Sequence, residues 1–403
     1  MYDVVIAGGG PAGLSAAART AGAGLSTLIV ERGTAIGVPI RTSGGSWIDD
    51  MAALGVPSTF YAPIRRVRVI GPSVEARFDH PVPRMCVLDV RAFYQWLAEV
   101  AIDAGATLQL SCRVQGVLES GGRVTGVGVR TTEGHCEDIS ARFVVDATGY
   151  GSALAKRCGL HDGFGSFGVG AEVDLYAPAW DPEEAVLIVG RNYAPNGYAW
   201  VLPYRNGRVR LGVGVGRPQS DADPGAYLRH VRERVPALRA LEGASAVEVH
   251  AGLIPLAPPR SVPLVREGLL VAGDAAGQAS ALIGEGIRYA IYAGRAAGDS
   301  IASASAKGDR SDAALASYPD AWRKRERNLR FGFEIYRRVV LFDDADWDRE
   351  VAQMQRLSPD QFAQGLKGDF TLAWLMSIAP RYAGFLVPPR LRAGAKRFPR
   401  SAA

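Results

Sequence analysis

A glycine-rich loop near the N-terminus constrains the fold of this chain more than any other segment. Residues 2–7 are an apolar run rich in β-branched side chains, residues 8–13 read Gly-Gly-Gly-Pro-Ala-Gly, and residues 12–23 are small and helix-forming. A G-x-G-x-x-G pattern placed after a strand and at the start of a helix is typical of a dinucleotide-binding βαβ unit. The sequence therefore predicts such a unit at its start.

Each glycine of the pattern has a separate mechanical role. Gly8 permits a tight turn, Gly10 lets the backbone approach a pyrophosphate, and Gly13 lets the helix pack closely on the strand. Pro11 and Ala12 open the helix, whose positive N-terminal end faces the phosphate charge. A glycine-rich helix start without a ligand is the simpler alternative for an isolated pattern of this kind.

Glu31 supports the dinucleotide interpretation. It follows a second predicted strand, residues 25–30. A carboxylate at that position can accept hydrogen bonds from an adenosine ribose, and it would repel a 2′-phosphate. Residues 33–50, rich in glycine and with Pro39, are predicted to form an ordered loop beside the cofactor unit.

Residues 268–277 contain another apolar strand, which ends at Gly273-Asp274. This segment resembles the second FAD fingerprint of the p-hydroxybenzoate hydroxylase-like flavoproteins, in which the aspartate binds the ribityl chain. Residues 144–149, Val-Val-Asp-Ala-Thr-Gly, resemble the Asp-x-x-Gly turn of the same superfamily. An aspartate that only caps a helix is the alternative for Asp274.

The superfamily resemblance implies FAD as the cofactor and extends the set of cofactor residues. Arg91 matches an arginine that contacts FAD, although a solvated helix face is its alternative. The segment from Gly284 to Ile287 opens a helix whose amides face the flavin pyrimidine ring, unless it is only a turn. The cofactor-binding residues implied by the motifs and the resemblance are Gly8, Gly10, Pro11, Ala12, Gly13, Glu31, Arg32, Arg41, Arg91, Val114, Gly273, Asp274, Gly284, Gly286 and Ile287.

Residues 195–203, Pro-Asn-Gly-Tyr-Ala-Trp-Val-Leu-Pro, resemble the P-x-x-Y-x-W-x-F-P motif of geranylgeranyl reductase-like enzymes, and residues 36–41 resemble their loop beside the flavin. Tyr198 and Trp200 are two residues apart, so both rings project from one face of a strand. The resemblance places that face over the flavin, where the two rings would contact substrate. Two aromatic residues in an ordinary sheet core are the alternative.

The chain departs from the reductase pattern after this loop. Reductases of the family commonly carry a cysteine there, whereas this chain reads Arg41-Thr42-Ser43-Gly44-Gly45. The catalytic residues are therefore unknown from the sequence, with Arg41, Thr42 and Ser43 as candidates. The two hydroxyls would bind flavin or substrate, or only hold the local turn.

The predicted fold class is α/β: a Rossmann-type FAD-binding domain with an inserted, mostly antiparallel substrate sheet and a helical C-terminal region. The FAD-binding domain is predicted as residues 1–75, 85–165 and 262–325. The substrate domain is predicted as residues 76–84 and 166–261, and the helical region as 326–403.

Composition limits the partners. The 403 residues carry a net charge of +5, and 48% are hydrophobic. No apolar run approaches the ~18 residues that cross a bilayer, so we expect no membrane span. Four cysteines without CxxC spacing predict neither disulfides nor a metal site and favour a reducing compartment. We expect a cytoplasmic protein with a small apolar substrate, no nucleic-acid partner, and room for peripheral membrane contact.

The reaction class follows from the resemblance. A geranylgeranyl reductase-like enzyme would transfer hydride between flavin N5 and an apolar or conjugated substrate, such as a prenyl or polyketide-like alkene. No second nucleotide motif is present, so NAD(P)H, if it is the electron donor, would bind transiently at the surface. An FAD-dependent aromatic hydroxylase, which uses a flavin hydroperoxide, is the main alternative. A flavin halogenase needs an early lysine, whereas the first lysine here is Lys156, and an electron-transfer module would not need the middle sheet.

Overall fold

The computed structural model describes residues 1–257 and 262–379. The end of the predicted C-terminal region, residues 380–403, lies outside the described part. The strands are β1 (Tyr2–Ala7), β2 (Thr27–Val30), β3 (Gly45–Trp47), β4 (Tyr61–Ile64), β5 (Arg66–Ile70), β6 (Glu75–Asp79), β7 (Met85–Leu88), β8 (Thr107–Gln109), β9 (Cys112–Ser120), β10 (Arg123–Thr131), β11 (Cys136–Asp146), β12 (Phe167–Tyr176), β13 (Glu184–Ile188), β14 (Gly197–Pro203), β15 (Arg208–Arg217), β16 (Ser245–Pro255), β17 (Val265–Arg266) and β18 (Leu269–Val271). The helices are α1 (Pro11–Gly22), α2 (Ile48–Ala53), α3 (Val90–Asp103), α4 (Ala153–Arg157), α5 (Pro224–Arg234), α6 (Ile287–Ala306), α7 (Ser317–Val339), α8 (Asp344–Met354), α9 (Pro359–Lys367) and α10 (Leu372–Ile378).

The first sheet carries the glycine-rich loop. Its strand order is β17-β18-β11-β1-β2-β8, with β9 and β10 continuing from β11. The pairs β18–β11, β11–β1, β1–β2 and β2–β8 are all parallel. Parallel strands of this kind are covered on both faces, and the four strand residues Val4–Ala7 are accordingly fully buried. The carboxyl ends of β1 and β18 therefore lie at one edge, where both cofactor motifs begin.

Helices α1 and α6 pack closely because α6 has glycine where it meets α1. A Cβ atom built on Gly294 would lie 2.1 Å from the carbonyl oxygen of Ala12, and one on Gly298 would lie 2.7 Å from that of Ala16. Only hydrogen fits in such a gap. The close approach brings the N-terminal ends of both helices to the same edge of the first sheet.

The second sheet has seven strands in the order β16-β12-β15-β14-β13-β5-β6. Its pairs are antiparallel except β13 with β5. One face is an apolar core that packs under α5, with Val201, Leu211 and Val213 all fully buried. The opposite, more polar face carries Gly170, Glu172 and Gly214, which line a cavity shared with residues of the first sheet. The mixed α/β fold with an inserted sheet and a helical C-terminal part is the predicted one.

One local prediction was wrong in part. Residues 45–50 of the predicted loop form β3 and the start of α2, because Trp47 is 2% exposed and packs against β7. Helix α3 follows β7 and buries Phe93, Leu97 and Ala101, which are four residues apart and form one stripe.

Sheet pairing bears on the predicted domain division, which stays a prediction. Strand β5, residues 66–70, was assigned to the FAD-binding domain, and it pairs with β13 in the second sheet. Pairing alone would therefore place the first boundary before residue 66.

Helices α8 and α9 pack against β6, the last strand of the second sheet. Phe362 of α9 stacks on Phe78 of β6 with ring centroids 3.8 Å apart. No helix in residues 1–257 or 262–379 is both long and apolar enough to cross a bilayer.

Candidate active site

A cavity of about 1470 Å³ lies between the two sheets and the C-terminal helices. Its walls combine the glycine-rich loop, the polar face of the second sheet, and apolar side chains of α7 to α10. Fifteen of the seventeen residues assigned from the sequence to cofactor or substrate line it. The two exceptions are Gly13 and Arg91.

The glycine-rich loop forms a cradle at one end of the cavity. A Cβ on Gly8 would lie 2.3 Å from the carbonyl oxygen of Ala147, and one on Gly13 would lie 2.0 Å from that of Gly8. A Cβ on Gly10 would meet no atom within 4 Å, because it points into open space. Gly10 also begins α1 without a side-chain cap. Free amides and open space together fit a pyrophosphate.

Glu31 is held by the same loop. Its two carboxylate oxygens accept hydrogen bonds from the amides of Gly9 and Gly33, each at 2.7 Å. Both oxygens keep further lone pairs for a ligand. The contact with an adenosine ribose stays a prediction, made from a carboxylate that the structure positions firmly at the cavity wall.

Asp274 and the N-terminal end of α6 form the opposite side of the cradle. Burial raises the pKa of Asp274 to about 6. A Cβ on Gly286 would lie 3.0 Å from Asp274 Oδ1, so the carboxylate lies against the start of α6. Gly286 begins α6 without a side-chain cap, so the first amides of this helix make no capping hydrogen bond. Their contact with the flavin stays a prediction.

Arginines surround the remaining polar end. Arg32, Arg41, Arg113 and Arg157 all line the cavity. Burial lowers the pKa of Arg32, and the neighbouring charge of Arg41 adds to that effect. Such crowded cations gain from an anionic ligand.

Arg91 does not reach the cavity. Its Nη2 atom pairs instead with Glu248 Oε1 at 2.7 Å, between α3 and β16. Its predicted contact with FAD stays a prediction. Val114, predicted to face the adenine, lies in the cavity wall on β9.

These residues fit FAD. The cradle offers uncapped amides from two helices and a carboxylate on each side, as a dinucleotide with ribose and ribityl hydroxyls requires. Glu31, Gly10, Ala12, Asp274 and Gly286 would hold it, and the bound flavin would supply hydride chemistry at its N5 atom.

The rings of Tyr198 and Trp200 lie on the cavity face of the second sheet, with centroids 5.3 Å apart. Trp200 lies flat on β15, because a Cβ on Gly212 would be 2.3 Å from its indole ring and one on Gly214 would be 3.2 Å away. Tyr198 donates a hydrogen bond from its hydroxyl to the carbonyl of Ile283 at 2.5 Å. Tyr198 therefore also tethers the loop that leads to Gly284. Their contact with substrate stays a prediction.

The loop with the three catalytic candidates packs on the same sheet. A Cβ on Gly252 would lie 2.2 Å from the carbonyl oxygen of Arg41. The guanidinium of Arg210 donates to the carbonyl oxygen of Ser43 at 2.7 Å and to that of Thr42 at 3.4 Å. The loop is thus fixed by its backbone, and its side chains are left to face the cavity.

A buried ionic cluster lies beneath this loop, and the sequence analysis missed it. It contains Glu172 and Asp174 of β12, Arg210 of β15 and His250 of β16. Arg210 pairs with Asp174 at 2.7 and 3.0 Å, and His250 Nε2 lies 3.1 Å from Asp174. Burial alone would raise the pKa of Asp174, but the imidazole of His250 beside it and the hydrogen bonds from Arg210 hold that pKa well below its usual range. The sequence feature that could have revealed the cluster is the pair of charged residues at alternate positions in each of two otherwise apolar strands, β12 and β15.

Comparison with known proteins agrees with this geometry. The model of the FAD dependent oxidoreductase family matches residues 3–165, and that of the geranylgeranyl reductase catalytic domain matches residues 169–254. A digeranylgeranylglycerophospholipid reductase of Methanothermobacter thermautotrophicus is 33% identical over 82% of this chain and 86% of its own length. One of Methanoculleus marisnigri is 30% identical over 90% and 92% of the two chains.

Solved structures share the fold. A geranylgeranyl bacteriochlorophyll reductase-like protein of Thermoplasma acidophilum superposes with a TM-score of 0.85 at 24% identity, over 95% of this chain and 97% of that one. A flavin-dependent brominase superposes with a TM-score of 0.70 at 19% identity, over 91% and 93%. The sequence relatives favour the reductase prediction over the hydroxylase and halogenase alternatives. The chain is an FAD-dependent oxidoreductase, and it belongs to the geranylgeranyl reductase-like family.

Proposed function

We propose that this protein reduces carbon–carbon double bonds in the isoprenoid chains of a lipid, with reduced FAD as hydride donor. The observation that carries the proposal is the apolar arm of the cavity, the part that the C-terminal helices line, in the same cavity as the cofactor cradle. An isoprenoid chain is long, apolar and nearly featureless, so it needs a deep apolar channel more than it needs polar contacts.

The apolar arm is built mostly from hydrophobic side chains of α7 to α10 and the turns between them, with Glu350 and Gln361 as polar exceptions. The hydrophobic residues that line it include Ile335, Val339, Met354, Leu357, Phe362, Leu366, Phe370, Trp374 and Ile378. Burying an apolar chain against such a wall gives roughly 0.8 kcal/mol per methylene group. A small aromatic substrate of a hydroxylase would leave most of this surface unused.

The two ends of the cavity would have different tasks. The glycine cradle with Asp274 would hold FAD, and the bound flavin would deliver hydride at N5. Tyr198 and Trp200 would form a flat wall that positions the double bond, since aromatic rings pack well against planar alkenes. A polar lipid headgroup would remain outside the apolar arm.

The donor and the cellular setting are further parts of the proposal. NAD(P)H would reduce FAD in a transient encounter. Four free cysteines support a reducing, cytoplasmic setting. Helix α10 exposes Leu372 (73%) and Met376 (68%) while its Trp374 and Ile378 line the cavity. One helix thus joins an exposed apolar surface to the apolar arm, which would suit peripheral contact with a membrane that holds the substrate.

The test is anaerobic turnover. The holoenzyme, reduced with NADPH or dithionite, is mixed with digeranylgeranylglycerophospholipid in detergent micelles, and flavin absorbance and product mass are followed. We expect flavin reoxidation without oxygen and two added hydrogens for each double bond reduced. A product that gains oxygen, and forms only in air, would favour the hydroxylase alternative.

Membrane contact has its own measurement. The double variant Leu372→Glu/Met376→Glu should lose co-sedimentation with lipid vesicles but keep its FAD content, because both side chains are mainly exposed. Equal sedimentation of variant and wild type would exclude α10 as the contact surface.

A further inference from the structure

Glu172 is a buried carboxyl group at the wall of the cavity. It lies on β12 and is 4% exposed, yet it belongs to the residues that line the cavity. Along one row of the second sheet, Trp200 pairs with Gly212, and Gly212 pairs with Glu172. Because Gly212 has no side chain, the indole ring lies over it, and the carboxyl group stands next to the predicted aromatic wall.

One oxygen of Glu172 accepts a hydrogen bond and the other does not. Oε1 accepts a hydrogen bond from the hydroxyl of Ser43 at 3.3 Å. Oε2 is buried and finds no hydrogen-bond partner in the described part of the chain. The nearest cation, Arg210, lies 3.6 Å from Oε2 but directs its shorter contacts to Asp174 and to the carbonyl of Ser43. A buried carboxylate oxygen without a donor costs far more free energy than the neutral carboxyl group does, so burial of this kind favours the protonated form.

The groups around Glu172 come from four elements. Asp174 on the same strand disfavours ionisation of Glu172, whereas Arg210 on β15 and His250 on β16 favour it. Tyr198 on β14 is neutral. Burial raises the pKa of Glu172, and Arg210 and His250 only partly offset that effect. The carboxyl group therefore keeps its proton to a higher pH than an exposed glutamate does.

We propose that Glu172 is the proton donor for double-bond reduction, an inference that rests on the proposed function. Reduced flavin gives a hydride to one alkene carbon, and the Glu172 carboxyl gives its proton to the other. The π bond breaks, two C–H bonds form, the flavin is oxidised, and Glu172 is left as a carboxylate. Solvent then returns a proton through the hydroxyl of Ser43, which is partly exposed on the adjoining loop.

The first arm of the test needs no substrate. Infrared titration of the oxidised holoenzyme should show a protonated-carboxyl band that persists above the usual pH range for glutamate. The band should be lost in Glu172→Gln and kept in Glu184→Gln. Glu184 is a matched control, since it lies on the same sheet but pairs with Arg68 outside the cavity. A wild-type spectrum without such a band overturns the proposal.

The second arm is anaerobic stopped-flow of the dithionite-reduced enzyme with digeranylgeranylglycerophospholipid. Wild type should lose rate as pH rises through the pKa of Glu172, because the protonated form is the donor. Glu172→Gln should bind FAD normally, reoxidise about 10²- to 10⁴-fold more slowly, and lose that pH dependence. A wild-type rate and pH profile in this variant would refute the role.

Ser43→Ala gives a second variant that leaves the ionic cluster in place. It should slow repeated turnover more than the first turnover, because only the return of the proton is impaired. Equal effects on both, or none, contradict the Ser43 route. A wild type that leaves the lipid unreduced contradicts the proposed function, and the infrared titration then still decides whether Glu172 holds a proton.

Discussion

Two surfaces of the cavity are rich in glycine, and they use it for opposite purposes. At Gly10 the missing side chain leaves space that no protein atom within 4 Å fills, and that space fits a cofactor. At Gly212 the missing side chain leaves space that the chain itself fills with the indole of Trp200, 2.3 Å from the position of a Cβ. A glycine at a cavity wall thus indicates a ligand site only if no other part of the protein fills the space that its missing side chain leaves.

This difference separates two kinds of substitution. Where protein fills the gap, an added methyl group must cost folding stability. Where only a ligand would fill it, the same methyl group must cost binding and leave folding nearly unchanged.

Gly13→Ala should cause the largest loss. Its Cβ would lie 2.0 Å from the carbonyl oxygen of Gly8, and neither backbone can move without separating α1 from β1. We expect the free energy of unfolding of the apoprotein to fall by about 3 kcal/mol or more, at the upper end of the usual cost of overpacking. Urea unfolding checks this.

Gly10→Ala is the matched control for that variant. It should unfold like wild type without cofactor, since its Cβ meets nothing within 4 Å, but bind FAD at least tenfold more weakly. Equal stability of the two apoprotein variants would break the distinction between the two kinds of glycine.

Gly212→Ala should destabilise by about 1–3 kcal/mol, because the new methyl group displaces the Trp200 ring. The double variant Gly212→Ala/Trp200→Leu should recover part of that loss, since leucine leaves the space above residue 212. A double-mutant cycle by thermal unfolding measures the coupling. Additive effects would show that the ring does not depend on the missing side chain.

The same contrast explains what the sequence could reveal. The sequence predicts the cradle because the strand, the glycine loop, the helix and Glu31 are close together in the chain. Their spacing alone determines how they are arranged. The sequence predicts the aromatic wall only in part. The alternation of residues along a strand predicts that Tyr198 and Trp200 share a face, but no nearby residue indicates that Gly212 lies under the indole. That contact depends on the pairing of β14 with β15, which cannot be read from a single sequence.

The ionic cluster could not be predicted from the sequence for a related reason. Glu172, Arg210 and His250 lie far apart in the chain, and each alone resembles an ordinary charged residue on a strand. Only the register of β12 with β15 and β16 brings them together. Arg91 shows the reverse case, in which a motif position is clear but the side chain turns to Glu248.

Asp274 should make FAD binding depend on pH. Its pKa is raised to about 6 in the apoprotein, and ribityl hydroxyls that donate to the ionised form would lower it in the complex. Affinity should therefore be full above about pH 6 and fall as pH drops below it. Flavin fluorescence titration across about pH 4.5 to 7.5, which spans ~1.5 units on either side of that pKa, checks this.

Asp274→Asn should weaken binding by about one to two decades at pH 8, the equivalent of ~1.5–3 kcal/mol for a charge-assisted hydrogen bond. It should also flatten the pH profile. A wild-type profile in this variant would assign the titration to another group and leave Asp274 as a helix cap.

Tyr198→Phe should have the smallest effect, and it tests whether the wall and the cradle are connected. The hydroxyl of Tyr198 donates to the carbonyl of Ile283, next to the turn that begins at Gly284. Loss of one such bond should cost about 1 kcal/mol of stability, because the ring itself stays packed against Trp200. If the tether positions the start of α6 for the flavin, FAD affinity should fall by a few-fold as well. Trp200→Phe removes no hydrogen bond to that loop and should leave FAD affinity unchanged. Isothermal titration of both apoproteins with FAD decides between a wall that only faces the cofactor and one that also holds its binding loop.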